Sequence, residues 1–407
     1  MARMYEYQGK KLLMEYGITV PKGEIATTGE EAKEIAVRLN KPVTIKAQTW
    51  TTGRAGQGGI KFADNPDEAL ERSNSILGKK IGSFKVEKVL IEEKIEIERE
   101  YYMGFVIDDT VRGPVLIFSA VGGTGVETIK RRHPEKIRFL PIPLTKGLKI
   151  YDACNVIRKT GIKGSPQLRL AKVLTNLYQL AVKCESRSLE INPLVLTKQN
   201  EIIALDCRLT VDDNAVFRHP ELDIEIAREY NRPATPLEKI AYKVEENDYR
   251  GTFYFYQLEE EPKGEGYIGF HGGGGGGSMM AMDALIRGGF KLLNFCDTSG
   301  NPAASKVYRA SKIILSQPNI KGYFHSGSGV ASQEQYHTAR GIVKAFREFN
   351  LNIPAVIRIG GNSEKEAIRI LTEYTADLPG IVEAYGRDTS IDFCVDRLKN
   401  LMEQKTR

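Results

Sequence analysis

The 407-residue sequence is poor in the features that mark several classes of protein. No apolar run approaches the ~20 residues that a membrane-spanning helix requires, so a helical membrane protein is not expected. The first residues, Met1 to Gln8, carry no apolar signal core, so export is not expected either. Five cysteines (Cys154, Cys184, Cys207, Cys296 and Cys394) are scattered without a CxxC pair and cannot all pair, which predicts reduced thiols in a cytoplasmic protein. Five histidines (His133, His219, His271, His325 and His337) show no HExxH or other metal spacing. Charge of one sign is also scarce: 58 Lys+Arg against 52 Asp+Glu leaves +6. That surplus leans toward small anionic ligands and lacks the concentrated charge of a nucleic-acid binder. The basic run Lys130-Arg131-Arg132-His133 is short, is followed by Pro134-Glu135, and reads as a solvated turn.

What is present is a chain with 41% hydrophobic and 27% charged residues, long enough for two to four domains and too apolar for long-range disorder. A helix is predicted from Tyr5 to Tyr16, stopped by Gly17, then a strand near Gly23–Thr27. Thr28 and Glu31 form a capping box for a helix bearing Ala32, Ile35, Ala36 and Leu39 on one face. A strand at Pro42–Gln48 precedes the Gly-rich loop Thr51–Gly59, and apolar strands recur at Val86–Ile91, Tyr101–Ile107 and Val115–Ala120. The helical spacing of Leu170, Val173, Leu174, Leu177, Leu180 and Ala181 predicts a long helix over Pro166–Ser186, followed by a hairpin of Leu189–Leu196 and Ile202–Asp206. Residues 218–250 are charged and proline-bearing, which places a boundary near 245. Beyond it, strands near Gly266–Phe270, Lys291–Phe295, Lys321–Phe324, Ala355–Ile359 and Gly380–Tyr385 alternate with helices. That is the pattern of a doubly wound parallel sheet.

Several groups on these elements have the chemistry of a site. Glu190 and Asn192 face one side of a strand, and pairing Leu196 with Ile202 places Asn192 opposite Asp206. Hard oxygens so placed suit Mg²⁺, although an ordinary hairpin also carries polar residues on its wet face. Lys46, with Gly53 and Arg54 in the following loop, offers charge and exposed amides to a polyphosphate, but the loop matches neither GxxxxGK[ST] nor GxGxxG and also suits a mobile turn. Glu92 and Glu100 flank a charged turn, where they serve a ribose or simply water. Gly272–Gly277 and Ser326–Ser332 both lie between a strand and a helix, where an anion can approach a helix N-terminus. Arg358 ends a later strand and can pair with a carboxylate. His271 is a candidate phosphate carrier that reads more simply as structural.

Taken in order, Tyr5-Glu6-Tyr7-Gln8-Gly9-Lys10-Lys11-Leu12-Leu13, the Gly53-Arg54 loop, Leu189-Glu190-Ile191-Asn192-Pro193-Leu194, Leu205-Asp206, Asn214–Arg218 and Ala310–Ser316 resemble the β subunit of succinyl-CoA synthetase over essentially the whole chain. The resemblance implies an α/β architecture. Residues 1–245 would form a two-lobed ATP-grasp domain, with a small lobe at about 20–110, and 246–407 a flavodoxin-like CoA-ligase domain. It implies ATP and Mg²⁺: Lys46 and Arg54 on the phosphates, Gly53 lining the loop, Glu92 and Glu100 on the nucleoside, and Asn192, Asp206 and Glu190 carrying the metal. It further implies a partner α-like subunit that carries the phosphohistidine and most of the CoA site, so no catalytic residue is expected on this chain. No nucleic-acid or membrane partner is implied.

The acid-binding part departs toward ATP-citrate lyase. Thr298-Ser299-Gly300-Asn301-Pro302 resembles the corresponding loop of that enzyme, where the succinate enzyme has a glycine run, and Ser326–Gly341 has its longer spacing. This implies Gly275, Gly276, Ser328, Gln333 and Arg358 around a tricarboxylate. With no lyase module, the sequence is most similar to the citryl-CoA synthetase large-subunit branch, with the β-like subunit of a two-chain ATP-citrate lyase close behind and succinyl-CoA or malate–CoA ligases as further readings. Three departures stand out: Ala331 replaces an amide side chain, Gly122–Glu127 is longer than the family's Glu-Gly-Gly-Val-Glu, and Arg208 replaces a lysine. A non-catalytic nucleotide-binding scaffold is the remaining alternative, and the intact Lys46, Glu190, Asn192 and Asp206 set argues against it.

Overall fold

The structure is a computed structural model that describes every residue except Thr52, Glu229, Asn231, Tyr249 and Arg407 and the side chains of Lys405 and Thr406. Position 52 of the Gly-rich loop therefore lies outside the described residues, as do positions 229, 231 and 249 of the charged segment. The chain divides into two compact units, Met1–Pro233 and Ala234–Arg407.

Among the described residues, the first unit holds two larger antiparallel sheets and a two-stranded one, Lys80–Ile81 with Phe84–Lys85. Of the larger two, the smaller pairs Gly23–Ala26, Val89–Glu93, Val43–Ala47 and Ile60–Ala63 in that order. Helices Gly29–Leu39 and Pro66–Asn74 cover it, and Ala32, Ile35, Ile45 and Ile91 form its core. Thr28 caps the first of these helices, accepting a hydrogen bond from the Glu31 N–H. Glu31 itself reaches back to Thr27 rather than to the cap residue.

The larger sheet contains Arg208–Val211, Ser186–Thr197, Ile97–Asp108, Gly113–Ser119 and Ile137–Pro141. The strand Ile97–Asp108 was expected inside the small lobe. It belongs to this sheet, pairing with Ser186–Thr197 on one edge and Gly113–Ser119 on the other. Its apolar middle, Tyr101–Phe105, is buried on both faces, and periodicity alone does not say which of two sheets buries it. The helix Ser165–Lys183 lays Leu170, Leu174, Leu177 and Ala181, all fully buried, against this sheet. Each buried leucine contributes about 1.5–3 kcal/mol.

The hairpin keeps the expected register, with Leu196 opposite Ile202. The same register resumes at Glu190 opposite Arg208. Between these stretches, Asn192-Pro193 faces Leu205–Cys207 outside the regular ladder, because Pro193 has no N–H to donate. The interruption frees Asn192 and Asp206 from the flat sheet surface.

The second unit begins earlier than the expected 246. Thr235 and Glu238 form a full capping box for helix Pro236–Glu246, which packs on the edge strand Tyr254–Gln257. Glu238 is completely buried and also accepts the Gln257 N–H at 2.8 Å. These contacts tie residues 234–245 to the second unit. Its sheet runs Tyr254–Gln257, Asn294–Asp297, Tyr267–Gly273, Gly322–Gly327, Ala355–Arg358, Val382–Tyr385, parallel except for the first strand. Among the parallel strands the chain order is 2-1-3-4-5, which is flavodoxin-like topology. The order reverses between Tyr267–Gly273 and Gly322–Gly327, and the crevice beyond the C-terminal ends of those strands is where such sheets bind ligands.

Candidate functional site

Each unit holds its own cavity. The first, of about 1170 Å³, lies in Met1–Pro233 and is lined by all eight residues expected to hold nucleotide and metal: Lys46, Gly53, Arg54, Glu92, Glu100, Glu190, Asn192 and Asp206. At its base is an ion cluster that the sequence reading did not single out. Glu6, in the first turn of helix Glu6–Glu15, places its carboxylate 2.8 Å from Lys10, 3.1 Å from Lys46 and 2.6 Å from Arg54. Glu92 lies 2.5 Å from both Lys10 and Lys46. Lys46 also donates to the Leu205 carbonyl, and Arg54 donates to Asp206 at 3.2 Å and to the Ala47 carbonyl at 2.7 Å. The Glu6–Lys10 spacing of one helical turn was the available signal for this cluster.

Burial alone would raise the Glu6 pKa, but Lys10, Lys46 and Arg54 hold its carboxyl well below the usual range. Burial opposes the Lys46 charge, yet Glu6, Glu92 and Asp206 keep its pKa above the ordinary lysine value. Both Glu92 oxygens are engaged by lysines. This residue is therefore neither the solvated turn nor a free acceptor for a nucleoside; it is a buried counter-ion of Lys46. Glu100 keeps its place on the cavity wall, where its carboxylate closely approaches Gly123. Gly123 has a φ of +72°, and an added Cβ would lie 2.2 Å from a Glu100 oxygen, so a side chain here would strain the backbone and push the Glu100 carboxylate aside. That loop engages the metal candidate Asn192, whose Oδ1 accepts the Gly123 N–H at 2.9 Å and whose Nδ2 donates to the Thr124 carbonyl at 3.1 Å.

Beside the cluster, Asp206 is shared with Arg54, and Glu190 accepts a hydrogen bond from Asn192 Nδ2 at 3.4 Å. Burial raises the pKa of Glu190, and Asp206 raises it further. Withdrawal from water and the Glu6 carboxylate raise that of Asp206. Among the described residues, no three His, Cys, Asp or Glu converge as a complete metal cage. Two carboxylates and an amide oxygen nevertheless fit Mg²⁺, which keeps several waters and takes its remaining ligands from phosphate.

The second cavity, about 270 Å³, sits in Ala234–Arg407 at the strand ends of the switch point. Ser328 and Gln333 line it as expected, together with the Thr298–Pro302 loop. Gly275 and Gly276 do not: they occupy the exposed first turn of helix Gly275–Arg287, and Gly273 and Gly274 take their place at the wall. Gly274 is required there, since its φ is +134° and an added Cβ would lie 2.7 Å from that of Ser328. Arg358 is also absent from the lining. Its guanidinium is spent on the carbonyls of Thr389, Gly327 and Arg387, at 2.7–2.9 Å, so it fastens the loops instead of facing an acid. His271 is fully buried, with Nδ1 bound to the Tyr323 hydroxyl at 2.6 Å and Nε2 to Thr298 Oγ1 at 2.8 Å. No ring nitrogen is free to carry a phosphoryl group.

Comparison with known proteins agrees with this division. Residues 3–196 match the ATP-grasp domain family, and residues 261–398 match the ATP citrate lyase citrate-binding family. The succinate–CoA ligase [GDP-forming] β subunit of Thermus thermophilus is 38% identical over 370 residues, covering 90% of this chain and 93% of that one. The chain belongs to the succinate–CoA ligase β-subunit family. The ADP-forming β subunit of Rubrobacter xylanophilus is 34% identical over 91% of this chain and 92% of its own. The ATP citrate lyase of Methanothrix soehngenii, solved with citrate and coenzyme A, shares the fold with a TM-score of 0.81 at 19% identity, covering 98% of this chain and 99% of that one. As a member of this family, the chain is a β-like subunit of an ATP-dependent acid–CoA ligase. No described helix is long and apolar enough to cross a membrane.

Proposed function

We propose that the chain is the nucleotide-binding subunit of a citrate–CoA ligase, forming citryl-CoA from citrate, CoA and ATP with an α-like partner that carries the phosphohistidine. The observation that carries this reading is the small cavity at the switch point. It is walled by the Thr298–Pro302 loop and by Ser328 and Gln333, inside the stretch that matches a citrate-binding family. Hydroxyls, amides and backbone N–H groups there suit an acid with many oxygens.

In this reading Lys46 and Arg54 hold the ATP phosphates once these displace Glu6 and Glu92 from the cations. Glu100 lies toward the nucleoside. Glu190, Asn192 and Asp206 hold Mg²⁺, which neutralises charge on the transferred phosphoryl group. The rest of the catalysis on this chain is positioning: the cluster holds two cations at one place, and residues 123–127 border the same cavity.

The test is the chain co-expressed with its partner and supplied with ATP, Mg²⁺ and CoA, with thioester formation followed for citrate, succinate and malate. Citrate is expected to give the highest kcat/KM, and no product is expected without the partner. A second reading, succinate as the acid, is supported by the names of the curated relatives, one of which is GDP-forming. A preference for succinate in the same panel would select it, and replacing ATP by GTP fixes the nucleotide.

A further inference from the structure

The strand Gly322–Gly327 places a second histidine, His325, at the floor of the small cavity. It is 1% exposed, lines the cavity, and its Nδ1 has no hydrogen-bond partner. Its Cε1–Nε2 edge borders Gly273 at the cavity wall, where an added Cβ would lie 3.5 and 3.8 Å from those two atoms. The ring packs edge-on against His271, with centroids 4.9 Å apart and planes at 80°. His271 is locked between Tyr323 and Thr298, and Ser311 braces the Tyr323 hydroxyl at 3.1 Å. His325 is thus packed against a saturated network and its ring also bonds the His271 backbone, while its Nδ1 is left without a partner.

The cavity around it is electrically neutral. Among the described residues, no Lys, Arg, Asp or Glu lines it. Burial pushes the His325 pKa down to about 4 and holds that of His271 well below the ordinary value. Near neutral pH, both rings are uncharged. A neutral imidazole has one donor and one acceptor, which matches an alcohol and is a poorer match to a carboxylate than a cation would be. A buried polar atom facing a methylene stays unpaired, and that penalty is what lets a site reject an analogue lacking a hydroxyl.

From this we infer that His325 is a specificity-determining residue that reads the hydroxyl group of a hydroxy-polycarboxylic acid at the floor of the cavity. The inference rests on the acid assignment made above for this cavity and adds the group that separates a hydroxy acid from its deoxy counterpart. Thr298, oriented by His271, stands beside it as a second hydroxyl partner.

The test uses the holoenzyme with its partner and compares citrate with tricarballylate, which is citrate without its hydroxyl. The wild type is expected to prefer citrate by about 10- to 100-fold in kcat/KM. His325→Leu should lose that preference through the KM for citrate, leaving tricarballylate and the KM for ATP near their wild-type values. His325→Asn, which keeps a polar group near the Nδ1 position, should recover part of the preference. Equal use of the two acids by the wild type overturns the inference even if no variant folds. So does an equal fall for both acids in His325→Leu, which marks a packing role. Failure of the underlying acid assignment reads differently: the wild type would then use succinate in preference to both tricarboxylates.

Discussion

Replacing Glu6 by glutamine removes one negative charge from the base of the larger cavity while keeping the side-chain volume. The carboxylate is 4% exposed and sits within 2.6–3.1 Å of Lys10, Lys46 and Arg54. Glu6, Glu92 and Asp206 balance those three cations; glutamine leaves one cation uncompensated. Removing one partner of a buried ion pair costs about 3–5 kcal/mol, because the remaining charge keeps its desolvation penalty. Arg54 and Lys46 can relax partly toward Asp206 and Glu92, so the lower end, about 3 kcal/mol, is expected. Phosphate would supply the missing negative charge, so ATP should stabilise the variant more than the wild type.

The assay is urea unfolding of the intact chain followed by Trp50 fluorescence. Trp50 is the one tryptophan, belongs to Met1–Pro233, and stacks on Tyr5 at 5.4 Å, so it reports this unit specifically. The pH dependence supplies a second arm. The folded pKa of Glu6 lies well below an unfolded value of about 4.3, so its stabilisation is complete above that value and fades as pH falls through the folded pKa. From about pH 5 downward, the wild type should lose stability more steeply than Glu6→Gln. A variant as stable as the wild type, with the same acid profile and no extra gain from ATP, would refute the reasoning.

Three further outcomes follow from other sites. Asp206→Asn should lower ATP-dependent phosphorylation of the partner histidine by at least about 100-fold while leaving the KM for the acid unchanged, measured by labelling from γ-phosphate. Gly274→Ala, at φ +134° and against Ser328, should destabilise the second unit by about 1–3 kcal/mol and raise the KM for the acid more than that for ATP, read by calorimetry and steady-state kinetics. Lys306→Met should cost about 3 kcal/mol in a thermal or urea unfolding curve, since the buried ammonium donates to the carbonyls of Asp248, Arg250 and Gly251 at 2.6, 2.7 and 2.8 Å.

Much of the architecture was legible because local signals agreed with the final fold. The Thr28 cap, the Leu170–Ala181 stripe and the Leu196–Ile202 register each depend on neighbours close in sequence. Motif order brought together Lys46, Arg54, Glu190, Asn192 and Asp206, which all line one cavity. Three things were hidden for physical reasons. Whether Ile97–Asp108 joins the small or the large sheet depends on pairing with residues 186–197, far along the chain. The ion cluster depends on helix Glu6–Glu15 meeting strands 43–47 and 89–93, so from sequence Glu92 read as a nucleoside contact or a solvated turn and not as a buried counter-ion. Arg358 carried the right charge at a strand end, but loops 387–389 and 327 turned its donors inward. The Thr235–Glu238 capping box was visible and marks the domain start better than the composition of 218–250 does.

We propose that the second unit selects citrate. Its most direct test is one reaction containing the chain, its partner, ATP, Mg²⁺, CoA and equal amounts of citrate and succinate, with the thioesters identified by mass spectrometry. Citryl-CoA as the dominant product is the expected result. Succinyl-CoA as the dominant product would contradict the claim.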